Sequence, residues 1–529
     1  MTKKLLTVIL LQLGSLTVSA QDVLWEKSYG GLHAEYLFDV QPTADYGFIL
    51  AGSSLSDKNG NKKVASNGDF DYWIWKMDEY GALDWQKSFG GTGLDFLQSL
   101  RTTNDGGFIV AGTSNSPKSI NKLEDSRGQE DLWILKLDAK GNEIWQRTLG
   151  GNGQEQLACI NKTRDGGYII GASSGSNSSG DKTEDSRGNL DYWIIKLNAS
   201  GKTEWQKTYG GRYIDQLKTV EQTKDGGYIL AGYSNSPMSG EKNSEAIGIG
   251  DYWIIKVDKT GGIEWQKTLG GEGDDNLSTL VQTYDGGYIL GGSSNSRASQ
   301  TKTKSNSNGT DFWVVKMDEE GTVLWQETYN YGKVDLLTSI VENDDHTLLI
   351  GGYAQSEVIG TDRKDKRDIN DYIALKINEK GEEIWTKTIG SDGEDVLNKL
   401  VETRDGGYLL AGTSQGKASR NKNSNQGGKD FWVVKLKDTS KPDVVKAAIE
   451  AIPNPALQYT NVLVGYEFEK GTATVFDLSG RQLQHFAIDS RTVPVDLSAY
   501  PEGIYLVEIR TNVQHNSVKI IKGITPSRN

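Results

Sequence analysis

The chain has 529 residues, too many for one ordinary hydrophobic core, so two or more domains or one long repeat array are required. With 63 Gly, 14 Trp and 23 Tyr, and 24% charged against 36% hydrophobic residues, the composition is that of a turn-rich β protein and excludes a disordered chain. A formal net charge of −13 argues against a nucleic-acid partner, the lone Cys159 excludes an intramolecular disulfide, and the four histidines at 33, 346, 485 and 515 have no metal-ligand spacing.

At the N-terminus, Lys3 and Lys4 precede an apolar run from Leu5 to Leu13 and the small residues Val18-Ser19-Ala20, the pattern of a secretory signal peptide cleaved after Ala20. No cysteine follows to take a lipid anchor, and no later segment approaches the ~18 apolar residues of a spanning helix. The mature chain is therefore expected to be exported, with no transmembrane segment.

From residue 21 a period of sixty takes over. Trp25, Trp85, Trp145, Trp205, Trp265, Trp325 and Trp385 keep that step, as do Asp45, Asp105, Asp165, Asp225, Asp285, Asp345 and Asp405, mostly in a T-x-D-G-G-Y setting. A third row, Asp71, Asp131, Asp191, Asp251, Asp311, Asp371 and Asp430, opens segments such as DYWIIKL, with one residue deleted only in the last unit. Each unit divides into four short runs rich in aromatic and β-branched residues between Gly and Asp turn signals, and four strands per repeat make a propeller blade. Strands B and C read as continuous apolar runs covered on both faces, and strand D, with W-Q-K-T, as the outer strand. Strand A is placed innermost, with Leu37, Leu97 and their equivalents between blades and the small positions Asp39, Ser99, Cys159, Thr219, Thr279, Ser339 and Lys399 facing a channel.

The first element is a D strand (Val23 to Ser28) and the last repeat stops after its C strand (Asp430 to Leu436), so the N-terminal strand must complete the seventh blade and remove the free sheet edges. The predicted fold is all-β: a seven-bladed β-propeller of four-stranded blades over residues 21–437, closed by the N-terminal strand. A linker (438–450) leads to 451–525, where IPNPALQYTNVLV, ATVFDLSGRQL, VPVDLSAYPEGIYLVEI and SVKIIKG alternate apolar and polar residues around turns, predicting a small C-terminal β-sandwich.

The GG-x-G-x-D-x-L, D-G-G-Y-I-L-A-G-x-S and D-x-W-x-x-K-x-D-x-x-G motifs over residues 22–437 resemble the bacterial seven-bladed β-propeller repeats of extracellular proteins. That resemblance implies architecture and an exported location and carries no single activity. Residues 450–523, with Pro453-Asn454-Pro455, V-x-D-L-S-G-R and L-S-x-x-P-E-G-I-Y-L-V, resemble the type A C-terminal sorting domain of the type IX secretion system. What that implies is recognition by the type IX secretion machinery, export across the outer membrane of a Gram-negative bacterium, and cargo that is secreted or held on the cell surface.

The long polar B-to-C loops, such as 114–130, and the D-to-A crossings emerge on one face, and the tight turns on the other. The crossings carry one acid per blade at a fixed register: Glu35, Asp95, Glu155, Asp215, Asp275, Asp335 and Asp395. As a channel-mouth ring they would suit calcium or a basic or polyhydroxylated ligand. As structure they would accept backbone N–H groups after a Gly-rich turn and lock blade to blade. Calcium at this ring is the one cofactor candidate, and no metal site is assigned. A calcium loop at Asp57 to Asn61 fails because Lys62 stands where the turn glycine is needed. The Asp opening each C strand and the Lys five residues on, such as Asp191 and Lys196, are expected to pair between blades. Cys159 has no histidine to activate it and is read as a passive substitution.

A catalytic pair would break the repeat symmetry with unique acidic, His or Tyr residues, and no such break is read. The expectation is an exported non-catalytic binding or adhesion propeller that meets glycan or protein ligands with its loop face. A carbohydrate-active enzyme using that face, and a structural spacer without a ligand, are the alternatives.

Overall fold

The computed structural model describes residues 21–307, 309–355, 369–442, 444, 447–456 and 459–523. The signal-peptide reading and its cleavage after Ala20 lie outside the described residues. Within them the chain forms seven four-stranded antiparallel sheets in succession, followed by a three-stranded and a further four-stranded sheet. Blade 1 is typical, with strands A to D at Glu35–Pro42, Phe48–Ser54, Asp71–Met77 and Leu83–Phe89 in spatial order.

The ring closes at the N-terminus. Gln21–Tyr29 pairs antiparallel with Asp430–Asp438, placing Val23 opposite Leu436 and Tyr29 opposite Phe431, and becomes the outer strand of blade 7. Its Glu26 accepts the indole N–H of Trp432 at 2.7 Å and the Asn423 amide at 3.0 Å. In other blades a strand-D glutamine does this work. Gln146 accepts the Trp133 indole N–H (3.0 Å) and the Leu123 amide (2.9 Å), tying the loop to the sheet.

Strands B and C are buried along their whole length, as their unbroken apolar runs require: blade 2 shows this at Phe108–Ser114 and Asp131–Leu137. The strand-C tryptophans 73, 133, 193, 253, 313 and 432 are the largest fully buried side chains. Trp253 lies 5.0 Å, centroid to centroid, from Tyr192 of the preceding blade, whose hydroxyl donates to the Trp253 carbonyl. The strand-D tryptophans are half-buried and cap the next blade, as Trp205 does on Tyr228 at 5.6 Å. Both rows cement junctions between blades, and the strand-C row carries more of the dispersion and burial energy.

Strand A departs from the expected alternation. Every A strand has a register shift after its leucine, as between Leu37 and Asp39 or Leu157 and Cys159. That β-bulge turns the intervening residue, Phe38 or Ala158, toward the axis. Five of the seven positions expected to face the channel, Asp39, Ser99, Cys159, Thr219 and Ser339, are instead buried. They bond to the neighbouring A strand: Asp39 accepts the Leu100 amide at 2.9 Å, Ser99 the Ile160 amide at 3.2 Å and Cys159 Sγ the Val220 amide at 3.3 Å. Burial also pushes the Cys159 thiol up from its ordinary pKa, which fits an inert packing residue.

The C-terminal domain packs Ile449–Ile452, Tyr459–Val464 and Thr492–Asp496 against Gly471–Asp477, Gln482–Ile488, Gly503–Thr511 and His515–Lys522. Its core is small and aliphatic, with Val462, Val475, Val495, Val507 and Ile520 buried. Arg491 joins it to the tight-turn side of blade 1, 3.2 Å from Glu79 and stacked over Tyr80 at 4.9 Å.

Candidate functional site

The seven acids of the D-to-A crossings do come to one register, but not as a collar. Each of Glu35, Asp95, Glu155, Asp215, Asp275, Asp335 and Asp395 is fully buried. The expected channel-mouth ring is corrected on that point, because each carboxylate turns back into its own crossing. Asp95 accepts the Gly91 amide and the Ser116 hydroxyl, both at 2.8 Å, and Glu155 accepts the Gly151 amide at 2.9 Å and the Ser174 hydroxyl at 2.8 Å. The glycine turn supplies the N–H, and the end of strand B or the loop just after it supplies the hydroxyl, so the acid staples crossing to blade.

The acids that open the C strands lie beside them. Asp251 accepts the Ile247 amide at 2.7 Å, and its second oxygen has no partner; the outer oxygen of the facing Asp275 is also unpartnered. Asp71, Asp131, Asp191 and Asp430 likewise each keep one buried oxygen without a partner. Each blade junction therefore holds a pair of carboxylates, one from each blade: Asp71 with Asp95, Asp131 with Glu155, Asp191 with Asp215, Asp251 with Asp275, Asp311 with Asp335, Asp371 with Asp395 and Asp430 with Glu35. Burial, reinforced by the facing carboxylate, pushes Asp71, Asp191, Asp251, Asp335, Asp395 and Asp430 up to about 6 and raises Glu155, and burial raises Asp215 as well. Such pairs share protons as units.

The first glycine of each G-G crossing explains itself at this point. A Cβ on Gly90 would stand 1.8 Å from Asp71 Oδ1. Where glycine is absent, Asn330 fills the gap and donates to Asp311 at 2.7 Å. At the next junction the Arg420 guanidinium grips both oxygens of Asp371, at 2.8 and 3.0 Å.

A row that the sequence reading passed over completes the site. Lys62, Lys122, Lys182, Lys242, Lys302 and Lys422, in the B-to-C loops, are buried to 1 or 2% exposure. Lys122 donates to the Ser116 carbonyl at 2.7 Å and to the Ser126 hydroxyl at 3.1 Å, folding its loop inward. Burial lowers its pKa, and Asp95 and Asp131 act against that shift. The signal was present: these lysines recur at a step of sixty, broken at Asp362, and Lys62 was noticed only for spoiling a calcium loop.

On the opposite face the expected pairing of the strand-C acid with the lysine five residues on is not found. Lys196 instead bonds Asp165 of the D-G-G turn and Glu204, both at 2.9 Å and within its own blade. The same contact joins Lys76 to Asp45 (3.0 Å), Lys256 to Asp225 (2.8 Å) and Lys435 to Asp405 (2.8 Å). Burial works against the Asp225 carboxylate, but Lys256, the Thr223 hydroxyl and the Gly227 amide hold it at about 2.

Around the axis, a cavity of about 570 Å³ is lined by Phe38, Phe96, Gln98, Gln156, Gln216 and Lys218 among others. One to three residues further along the A strands lie Asp39 and Arg101, 2.7 Å apart, with Glu221 and Lys399 near them. Among the described residues no group of three or more His, Cys, Asp or Glu side chains is arranged to hold a metal ion, and no helix is long and apolar enough to cross a membrane.

The regulatory protein FlaEY of Caulobacter vibrioides is 24% identical over 174 residues, 31% of this chain and 18% of that protein, so the chain spans about a fifth of that relative's length. The Pan2 WD40 domain of Neurospora crassa is 11% identical, covering 80% of this chain and 98% of that one at a TM-score of 0.43. A puromycin hydrolase is 9% identical, covering 92% and 62% at 0.42. The seven sheets and their closure establish the propeller in their own right. Residues 450–523 match the family described as the secretion system C-terminal sorting domain, which marks the chain as cargo exported to the surface or surroundings of a Gram-negative bacterium.

Proposed function

We propose that the mature chain is a non-catalytic binding or adhesion module, carried outside the cell by its sorting domain and engaging glycan or protein ligands with its loop face. The observation that carries this reading is the way the loops are held. The buried lysines pin the B-to-C loops from inside, while large apolar side chains at their tips stand in solvent: Ile120 is 58% exposed, Met238 61% and Ile249 66%. A rigid backbone that presents exposed side chains loses little entropy on binding. The sorting domain meets blade 1 on the opposite face through Arg491 and Glu79, which leaves this surface accessible.

The test is to immobilise the mature protein and measure saturable binding to an array of glycans and extracellular matrix proteins, while following product release from labelled polysaccharides and peptides. Saturable binding without product is the expected result. Turnover would replace the binding module with an enzyme on the same face, and neither binding nor turnover would leave a structural spacer.

A further inference from the structure

The blades are near-copies, so positions where they disagree stand out against the scaffold. Two such positions flank each A-strand leucine. The first runs Tyr36, Phe96, Gln156, Gln216, Asn276, Leu336, Val396, and the second Phe38, Gln98, Ala158, Lys218, Ser278, Thr338, Asn398. The bulge in strand A aims the second set at the axial cavity, and the first set stands one step closer to the loop face. The symmetry of the repeat is therefore broken where the channel opens.

The break has a direction. Blades 1 and 2 contribute a row of half-buried rings, with Tyr36 5.6 Å from Phe70, Phe70 5.0 Å from Phe96 at an interplanar angle of 28°, and Tyr36 6.5 Å from Phe38. Lys429 lies over the Tyr36 ring at 4.8 Å and holds it in place. Blades 2 to 4 contribute the amides Gln98, Gln156 and Gln216 to the cavity wall, each able to donate and accept. Several amide and hydroxyl groups are already linked, as in Thr113 to Gln98 at 2.9 Å and Lys218 to Gln216 at 3.0 Å, so the wall is pre-ordered. Beyond it Asp39 pairs with Arg101 at 2.7 Å, with Glu221 and Lys399 near them, and the wall itself carries one cation, Lys218, and one acid, Glu130, so neither sign of charge dominates the lining.

An aromatic shelf facing convergent amides suits a ligand with apolar C–H faces and a rim of neutral hydroxyls. The cavity falls within the ~300–1,000 Å³ of small-molecule sites. We propose that the channel mouth is a saccharide site, taking the end of a neutral glycan chain with a sugar ring against Phe38 and Phe96 and its hydroxyls on the glutamine amides. This rests on the binding-module reading and narrows it to a ligand class and a location.

The experiment is calorimetric titration of the full mature protein with neutral hexasaccharides of glucose, mannose, xylose and N-acetylglucosamine. It is repeated for Phe96→Ala, for Phe38→Ala, for Gln156→Ala, for a loop-tip pair, Met238→Ser with Ile249→Ser, and for a control on the exposed side of an outer strand, Leu324→Ser. Melting curves establish that each variant is folded. The expected result is saturable binding of at least one hexasaccharide, weakened about tenfold or more by either Phe variant and by Gln156→Ala, and unchanged in the control. Binding that persists in the channel variants and falls in the loop-tip pair would overturn the channel site while leaving the binding module standing. Failure of every saccharide alongside saturable binding of a matrix protein would overturn the ligand class alone. Release of shorter saccharides would overturn the non-catalytic reading instead.

Discussion

On the turn face each D-G-G aspartate meets a lysine, whereas on the loop face each strand-C aspartate meets another carboxylate. Lys256 and Asp225 stand 2.8 Å apart, with the aspartate half-exposed and held at about 2. Asp251 and Asp275 have no exposure, one unpartnered oxygen each, and an Asp251 pushed up to about 6. The turn face can let water supply whatever its ion pairs lack. The loop face is closed over by its own loops and must balance its charge internally, with a shared proton and a buried lysine. Repetition thus yields a charge-paired face and a face of facing carboxylates, the latter relieved by a cation at Asp371, gripped by Arg420, and at Asp430, 3.6 Å from Lys422.

The largest effect that would break this contrast comes from the buried lysines. Lys122→Met removes a buried cation that acts on Asp95 and Asp131 and should cost about 3–5 kcal/mol at pH 7.5 in urea unfolding, with a smaller loss at pH 5, where the facing Asp71 and Glu155 can hold a proton. An equal loss at both pH values would show that the lysine acts through its loop hydrogen bonds alone.

The two faces also impose opposite pH slopes. A loop-face carboxyl raised from 3.8 to about 6 contributes stability that is full below about pH 4 and is lost as pH rises through 6. A turn-face carboxyl lowered to about 2 contributes stability that is full above about pH 4 and is lost as pH falls through 2. Thermal melts should therefore peak near pH 4–5 and fall by ~5 °C toward pH 7.5. A Tm that climbs steadily to neutrality would contradict the shared protons.

Single-site versions sharpen the same comparison. Asp251→Asn gives Asp275 a donor in place of a repelling charge and should raise stability by about 1 kcal/mol at pH 8, with no gain at pH 5. Asp225→Asn, on the turn face, should lower stability by up to about 1 kcal/mol. Lys196→Met is expected to cost about 1 kcal/mol or less, because Asp165 stays hydrated, and calcium should not rescue it.

The sequence disclosed most of this architecture because period and burial speak the same language. Seven rows at a step of sixty fix the blade count, and the missing D strand after Asp430 assigns Val23 to Ser28 to the seam. The channel lining was misplaced by one residue. A β-bulge repeats as regularly as a strand and leaves no mark in composition, so Asp39 was placed at the axis and Phe38 was not. The acidic row was visible, yet its partner row was not joined to it, because the two lie 24 residues apart along the chain, as in Asp71 and Asp95, and meet only across a junction. The buried lysines were hidden by their setting, since a lysine in a Ser/Asn/Gly loop reads as solvated until the loop is seen to fold over it.

Closure by Gln21–Tyr29 carries a consequence for how the molecule is made. The strand that finishes the ring leaves the ribosome first, and the partner of its Glu26, Trp432, follows about four hundred residues later. Throughout that interval six blades can assemble on one another, yet both the first strand and the last sheet keep a bare edge. Completion is thus a late event that cannot be brought forward, and a chain cut short before Asp430 is left as an open arc that has lost its latch.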